Sequence, residues 1–245
     1  MSRVLTYNIH RCVGVDRRLD IDRIASVIAA QRPDIVALQE VDVGRARTGG
    51  VDQARAIAER LGMAFHFHAA LTVAEERYGD AVLTGLPLRL IKAGPLPGHP
   101  SLPRLEPRGA LWVAIEIEGA EIAVLNTHLG LIPKEQRLQA AALTGPAWLG
   151  GNRRRDPLIV LGDFNTGARG AASRTLRNGL TDAAEAAGAG RSLRTYPSIA
   201  PIRRLDHVFV SPGIRVDAAF VVADTVTRRA SDHLPLVVDF ALNPH

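Results

Sequence analysis

Short apolar runs that end in polar residues are the feature of this sequence that most restricts its fold. The clearest runs lie at residues 35–38, 123–125, 158–161, 208–210 and 236–238. Continuous apolar runs of this length, bounded by turn or polar residues, are typical of strands buried on both faces. Val113, Ile115 and Ile117 alternate with smaller or charged neighbours. This alternation predicts a further strand with one face wetter than the other.

Helical spacing is found in fewer places. Apolar residues repeat at helical intervals over residues 21–28 and 54–61, and Gly62 is a suitable stop for the second helix. Pro133 can open a third helix, because the first turn leaves its missing N–H unpaired anyway, and Pro146 should end it. Since strands outnumber helices, we predict an α/β fold with helices outside the sheets.

Length and composition favour one ordinary globular domain over residues 1–245, with 47% hydrophobic and 22% charged residues. The single cysteine, Cys12, excludes an internal disulfide and a cysteine-only metal site. No apolar stretch approaches the roughly 20 residues that span a bilayer, and a strand-like run begins too early for a signal peptide. We therefore expect a cytoplasmic protein, a monomer, with no integral membrane segment and no protein partner.

The basic charge leaves the partner undecided. The net charge is +5 and the pI is about 10.1, which is compatible with binding phosphate groups. However, Lys92 and Lys134 are the only lysines, so 28 of the 30 basic residues are arginines. Such a bias is typical of genome-wide codon usage, although arginine also binds phosphate well. The 4% aromatic content argues against a stacking surface for single-stranded nucleic acid.

Chemically active side chains gather where the apolar runs begin or end. Because buried strands place their ends at the rim of a sheet, these side chains could meet in one cleft at that rim. They are Asn8 and His10, Glu40, Asn126 and His128, Asp163 and Asn165, Asp206, and Asp232 and His233.

The composition of this set indicates a hard cation. Carboxylate and amide oxygens with few histidines suit Mg²⁺, with Mn²⁺ as the other possibility, rather than Zn²⁺. Such an ion acts as a Lewis acid on a phosphoryl oxygen, while an Asp/Asn pair positions water and histidines stabilise charge. Each element alone has an ordinary structural explanation. In a strand, His207 faces away from Asp206, so we expect His207 to be structural.

Taken in order, these segments resemble the endonuclease/exonuclease/phosphatase superfamily of divalent-metal phosphohydrolases. That superfamily includes pancreatic-type deoxyribonuclease, abasic-site endonucleases, neutral sphingomyelinases and inositol polyphosphate 5-phosphatases. The resemblance rests on residues 6–8, 38–40, 78–83, 126–128, 162–165, 205–206 and 231–233, and so covers nearly the whole chain. It implies a four-layer α/β/β/α sandwich with two packed, mainly antiparallel sheets.

The resemblance also implies roles for individual residues. Glu40 would be the principal metal ligand, with Asn8 and Asp232 nearby. Asp163 would orient or deprotonate the attacking water, and His233, paired with Asp206, would stabilise the phosphorane. His128 would contact the scissile phosphate or protonate the leaving oxygen. The residues expected to bind substrate phosphate are Asn8, His10, Arg108, Asn126 and Asn165.

Some positions depart from the family pattern. His10 stands where the abasic-site enzymes have a metal-holding aspartate, and Asp80 stands where many relatives have asparagine. Arg108 precedes a strand as a deoxyribonuclease arginine does, but an exposed loop arginine is an equally good interpretation. Residues 194–206 look most like small bacterial members of the superfamily.

Several alternatives stay open. His66 and His68 could form a second metal site, but more simply lie on the wetter face of a sheet. The arginines at 153–155 could touch phosphate or be a solvated charge run. We expect a Mg²⁺-dependent hydrolase that cleaves a phospholipid or small phosphodiester by in-line attack of water. The alternatives are a DNA or RNA endo- or exonuclease and, less favoured, a non-catalytic anion-binding protein.

Overall fold

The structure, a computed structural model, describes residues 1–150, 157–189 and 193–243, so the arginines at 153–155 lie outside it. The strands are β1 Ser2–Asn8, β2 Ile35–Val43, β3 Ala64–Val73, β4 Glu76–Thr84, β5 Leu88–Pro95, β6 Gly109–Ile117, β7 Ala120–His128, β8 Leu158–Asp163, β9 Thr181–Asp182, β10 Asp206–Val210, β11 Ile214–Val221 and β12 Leu236–Leu242. The α-helices are α1 Ile21–Gln31, α2 Gln53–Leu61, α3 Pro133–Thr144, α4 Ala171–Arg177, α5 Ala183–Ala186 and α6 Thr225–Ala230. Within these ranges, no helix has the length and apolar character needed to cross a bilayer.

The strands form two six-stranded sheets, with the orders β11-β12-β1-β2-β4-β3 and β5-β6-β7-β8-β10-β9. In each sheet one central pair is parallel, β1 with β2 and β7 with β8. The other pairs are antiparallel. The two sheets are therefore mixed and mainly antiparallel, as expected.

Three apolar clusters show how the layers stack. One lies between the sheets and contains residues such as Ile35, Val113 and Val124. A second joins the outer face of the first sheet to α1, α2 and α6, and a third joins the outer face of the second sheet to α3 and α4. This arrangement confirms the four-layer α/β/β/α sandwich.

The predicted helices form where capping chemistry places their ends. The carboxylate of Asp20 accepts a hydrogen bond from the N–H of Arg23 at the start of α1. Helix α2 ends at Gly62, which adopts the left-handed conformation with φ of 64°. Helix α3 begins with Pro133 in its first turn and ends before Pro146.

The expectation of a wetter face on β6 is wrong for most of that strand. Val113, Ile115 and Ile117 belong to the layer between the sheets. The opposite face carries the buried Trp112, which packs beneath the outer helices, and Glu116 is the one exposed residue of the strand. The other sheet therefore buries one face of β6 and the helical layer buries the opposite face.

Strand register brings the polar strand ends to one end of the sandwich. His128 and Asp206 are both paired with Asp163, from the two strands that flank β8. In the other sheet, Asn8 is paired with Gln39, directly before Glu40. The catalytic candidates of both sheets are thus gathered at one rim.

Candidate active site

A cleft of about 410 Å³ opens at this rim. Its lining includes eight residues singled out from the sequence, namely His10, Glu40, Arg108, His128, Asp163, Asn165, Asp232 and His233. It also includes eight that were not assigned to the site, namely Arg11, Arg47, Tyr78, Glu106, Leu131, Tyr196, Arg203 and Leu205.

Asp163 is the centre of the site. Its Oδ2 accepts a hydrogen bond from Asn8 Nδ2 at 3.0 Å and lies 3.5 Å from His128 Nε2 and 3.6 Å from His233 Nε2. Burial raises the pKa of this carboxyl, and the positive charge of His233 opposes the rise. The carboxylate therefore takes up a proton more readily than an exposed aspartate does.

His233 is held as a cation by two carboxylates. Its Nδ1 contacts Asp206 Oδ2 at 2.8 Å, and the Ser231 hydroxyl anchors the segment by donating to the carbonyl of Asn8 at 2.8 Å. Burial alone would lower the pKa of His233, but Asp206 and then Asp163 outweigh it and raise the pKa to about 10. The ring therefore carries a positive charge towards Asp163.

Glu40 reaches the cleft because β2 is irregular there. The pairing of β2 with β4 shifts between Leu38 and Val41, and Glu40 has a φ of 59°. Asn8 Nδ2 donates to Glu40 Oε1 at 3.0 Å as well as to Asp163, while its Oδ1 accepts from the N–H of His10. Asn8 thus lies beneath the cleft, only 1% exposed, and connects the two carboxylates.

Two sets of residues could hold a metal ion. Asp163, Asp206 and His233 place ligand atoms within 4.8 Å of one another. In that set, however, Asp206 and His233 are already bonded to each other at 2.8 Å. In the predicted set, the carboxylates of Glu40 and Asp232 offer the oxygen atoms that hard cations prefer and line the cleft. Asn8 directs its amide nitrogen at Glu40 and Asp163.

Arg108 is a buried cleft residue, so the interpretation as an exposed loop arginine is wrong. It is 7% exposed, pairs with Glu106 at 2.7 Å and donates to His128 Nδ1 at 3.1 Å. Burial, together with the Arg108 charge, lowers the pKa of His128 well below its usual range. His128 is therefore neutral, and its Nε2 lies 3.0 Å from Asn165 Nδ2 and 3.5 Å from Asp163 Oδ2.

Asn165 lies two residues after Asp163, and its backbone is in the left-handed conformation, with φ of 51°. Its backbone N–H donates to Asp163 Oδ1 at 2.8 Å, and its Nδ2 donates to the carbonyl of Leu129 at 2.9 Å. Asparagine adopts this backbone region more readily than most residues. The turn fixes the side chain at the wall of the cleft.

Asp80 is a buried carboxylic acid whose uncharged form is favoured. It is 2% exposed, and burial raises its pKa to about 8, against the opposing charge of Arg108. The side chain is therefore mostly protonated at neutral pH. Its neutral form resembles the asparagine expected at this position from the family pattern.

Asn126 is not brought to the cleft, and its predicted role in phosphate binding is corrected. Its Nδ2 donates to the carbonyls of Leu38 and Ala81, both at 2.9 Å, and its Oδ1 accepts from Gln39 at 2.7 Å. Because the amide is fully buried and these partners belong to the opposite sheet, Asn126 joins the two sheets instead.

His10 lines the cleft, but its ring is engaged by protein atoms. Nδ1 lies 3.0 Å from the carbonyl of Val13, and Nε2 lies 2.6 Å from Arg11 Nη2. The histidine thus holds the neighbouring arginine. Both ring nitrogens of His10 therefore have protein partners, which corrects its predicted role in phosphate binding.

The remaining candidates lie away from the chemistry. His66 and His68 are half-buried on β3, and the ligand cluster found within the described ranges includes neither. His207 is buried and donates from Nε2 to the carbonyl of Thr166 at 2.8 Å, which agrees with a structural role. Cys12 is also buried, and burial raises the pKa of its thiol, so it is not a nucleophile.

Some cleft residues that the sequence analysis missed lie in or beside recognisable segments, and others do not. Tyr78 and Tyr196 lie inside segments that carried the family resemblance, and Arg11 directly follows His10. Arg47 and Glu106 lie in connections without a recognisable pattern. Their position in the cleft depends on tertiary packing.

Comparisons with known proteins match one family over most of the chain. The model of the endonuclease/exonuclease/phosphatase family matches residues 5–233. The protein YbhP of Escherichia coli (strain K12) is 26% identical over 250 residues, covering 98% of this chain and 96% of YbhP.

Solved structures show the same architecture. An endonuclease/exonuclease/phosphatase from Beutenbergia cavernae has a TM-score of 0.76 and 26% identity, covering 98% of this chain and 71% of that one. The mannosyl-6-phosphatase of Bacteroides thetaiotaomicron has a TM-score of 0.78 and covers 99% of this chain and 100% of that one. At 21% identity, this second likeness concerns the fold alone.

Proposed function

The chain belongs to the endonuclease/exonuclease/phosphatase family, and from this premise we propose that it is a phosphodiesterase dependent on Mg²⁺ or Mn²⁺. The observation that carries the proposal is the position of the Asp163 carboxylate, which faces the rings of His128 and His233 and is tied to Glu40 through Asn8. In this proposal Asp163 is the general base and Glu40 is the metal ligand. The two histidines stabilise negative charge and supply a proton.

The donor set fits a divalent cation. Glu40 would hold the ion, with Asn8 and Asp232 nearby, and Asp206 retains a buried Oδ1 without a hydrogen-bond partner within the described ranges. Carboxylates gathered this closely repel one another unless a cation is present. When bound, the ion supplies Lewis-acid stabilisation of negative charge on a phosphoryl oxygen.

Asp163 is the group that directs water at phosphorus. In its ionised form the carboxylate accepts a proton from water while the oxygen attacks in line with the leaving group. Asn165 and Asn8 hold this carboxylate through hydrogen bonds at 2.8 and 3.0 Å. The P–O bond to the leaving group then breaks, and the departing oxygen takes up one proton.

The histidines have complementary tasks. His233 keeps its positive charge through Asp206 and stabilises the negative phosphorane. His128 is neutral, and its Nε2 faces Asp163, so the ring can contact the phosphate or protonate the leaving oxygen. Arg108 and Asn165 hold the phosphate at the same wall.

We propose a small phosphodiester or a phospholipid as substrate, in preference to a monoester or to nucleic acid. The support is the modest volume of the cleft, about 410 Å³, and the short connections between the site segments, which leave little chain for loops that enter a duplex. Nuclease activity is the alternative that the following experiment separates.

Hydrolysis is measured on bis(p-nitrophenyl) phosphate, p-nitrophenyl phosphate, phosphatidylcholine vesicles and supercoiled plasmid, each with Mg²⁺, with Mn²⁺ and with EDTA. We expect metal-dependent cleavage of the diester, and a loss of about 10³-fold or more in His233→Ala. Undiminished turnover in EDTA would refute the metal requirement. Efficient plasmid nicking with poor diester cleavage would make the protein a nuclease.

A further inference from the structure

We propose that the cleft contains a second anion subsite, formed by Arg11 and Arg47, that binds a negatively charged group of the substrate other than the scissile phosphate. The inference rests on the proposed function, because it concerns the same cleft. It specifies the substrate class as a small phosphoester with a second phosphate group close to the reacting one.

The backbone at Arg11 is held in an unfavourable conformation that presents the side chain to the cleft. His10, Arg11 and Cys12 have φ values of 44°, 57° and 58°. Three successive non-glycine residues in this region are costly, because each Cβ approaches the following carbonyl oxygen. The turn persists because surrounding bonds fix it, including one from buried Gln53 Nε2 to the Arg11 carbonyl at 2.7 Å.

The Arg11 side chain brings an uncompensated charge. Its Nη2 contacts His10 Nε2 at 2.6 Å, and the other ring nitrogen of His10 contacts the Val13 carbonyl at 3.0 Å, so the histidine holds the guanidinium in place. The Nε of Arg11 is buried without a hydrogen-bond partner in the part of the chain that the structure describes. In that part, no carboxylate forms an ion pair with Arg11.

Arg47 is fixed beside the cleft by an ion pair and by contact with an aromatic ring. Its Nε and Nη2 donate to the two oxygens of the buried Asp42 at 2.8 and 2.7 Å, and its guanidinium lies 5.3 Å from the ring of Tyr78. This bidentate pair uses one edge of the guanidinium and leaves Nη1 for another partner. Both Arg47 and Tyr78 line the cleft.

The buried side chain of Gln53 links the backbone of Arg11 to the backbone of Asp42, the partner of Arg47. Gln53 donates to the carbonyl of Arg11, and its Oε1 accepts from the N–H of Asp42 at 3.0 Å. The backbone of Arg11 is therefore joined to that of Asp42, whose side chain holds Arg47. Arg108 precedes β6 of the other sheet and contacts His128 and Glu106.

A guanidinium pair of this kind recognises phosphate oxygens through charge-assisted hydrogen bonds. The second phosphate of a small bisphosphate and the neighbouring phosphate of a polynucleotide offer the same chemistry. We assign the subsite to the small bisphosphate class. Plasmid nicking that falls in parallel in the Arg11 and Arg47 variants would assign it to nucleic acid.

The test compares two substrates that differ only in the second phosphate: thymidine 5′-(p-nitrophenyl phosphate) with a free 3′-hydroxyl or with a 3′-phosphate. We expect the wild type to prefer the 3′-phosphorylated substrate by about tenfold in kcat/KM, mainly through KM. Arg11→Gln and Arg47→Gln should bring this ratio towards one. Arg89→Gln, an exposed arginine on β5 outside the cleft, should preserve it.

Calorimetry separates failure of the subsite from failure of the proposed function. Wild-type protein should bind thymidine 3′,5′-bisphosphate more tightly than thymidine 5′-phosphate, and both arginine variants should lose that difference. Equal binding of the two nucleotides by the wild type would overturn the subsite, whether or not the esters are cleaved. Absence of cleavage together with preferential bisphosphate binding would overturn only the proposed function.

Discussion

His207 shows how a residue behind the cleft supports the residues within it. It follows Asp206 in β10, but its Nε2 donates to the carbonyl of Thr166, at the end of the turn that carries Asn165. Its ring contacts the rings of Phe164 and Phe209. Burial, with a smaller contribution from Arg204, lowers the pKa of His207 to about 4.

This lowered pKa predicts a specific loss of stability in acid. The unfolded histidine titrates near 6.5, so unfolding takes up a proton between about pH 6.5 and pH 4. The contribution is fully present above pH 6.5 and is lost as the pH falls to about 4, amounting to roughly 3 kcal/mol. Urea unfolding at pH 7 and pH 4.5 should show a smaller acid loss in His207→Asn than in wild type. An equal loss in both proteins would contradict this assignment.

Single residues were predictable from sequence where strand periodicity decided their position. Asp163 and His233 border apolar runs, and the ends of those runs meet in the structure. Asn126 borders such a run too, but it lies two residues before the end of β7 and points between the sheets. Arg11 was not predictable, because its direction depends on a left-handed turn and on Gln53 from a distant helix.

At the scale of secondary structure, β8 places Asp163 through a close approach to β7. Gly162 has a φ of 138°, and a Cβ there would lie 1.9 Å from the carbonyl oxygen of Thr127. Only glycine fits this position without moving the backbone. Because Asp163 is the next residue, a displaced β8 would also displace the catalytic carboxylate.

Gly162→Ala should therefore reduce both stability and activity. We expect a loss of about 3 kcal/mol or more in the free energy of unfolding, measured by urea denaturation. Gly119→Ala is the control, since Gly119 also has a positive φ but nothing within 4 Å of the added methyl group. That variant should lose about 1 kcal/mol and retain activity. Similar losses in the two variants would exclude the proposed steric cause.

The elements themselves were largely predictable, because capping and periodicity are local properties. Asp20 and Gly62 mark helix ends in the sequence and in the structure. The bulge that turns Glu40 into the cleft was not predictable, since it arises from the register between β2 and β4. The burial of both faces of β6 likewise depends on the other sheet and on helices from elsewhere in the chain.

At the scale of the whole molecule, the fold gathers carboxylates from both sheets. Glu40 lies in the first sheet, and Asp163 and Asp206 lie in the second. Asp232 precedes β12, a strand of the first sheet. Such a concentration of negative charge destabilises the folded state in the absence of a cation. Binding of a divalent ion to the folded protein should consequently raise its stability.

Thermal unfolding with Mg²⁺ tests this linkage independently of turnover. At about ten times the dissociation constant, the ion should contribute about 1.4 kcal/mol and raise Tm by roughly 3–5 °C. Glu40→Gln should remove most of the increase, and NaCl at equal ionic strength is the control for screening. An unchanged Tm in wild type, or a full increase in Glu40→Gln, would be incompatible with the assigned ligand.

The most direct test of the account is the rate of diester hydrolysis with saturating Mg²⁺ in wild type, Asp163→Asn and the exposed control Asp217→Asn. Asp163→Asn conserves size but cannot take up a proton, so we expect kcat to fall by about 10³-fold or more. Asp217→Asn should match wild type. Full activity in Asp163→Asn would contradict the central claim that this carboxylate directs the attacking water.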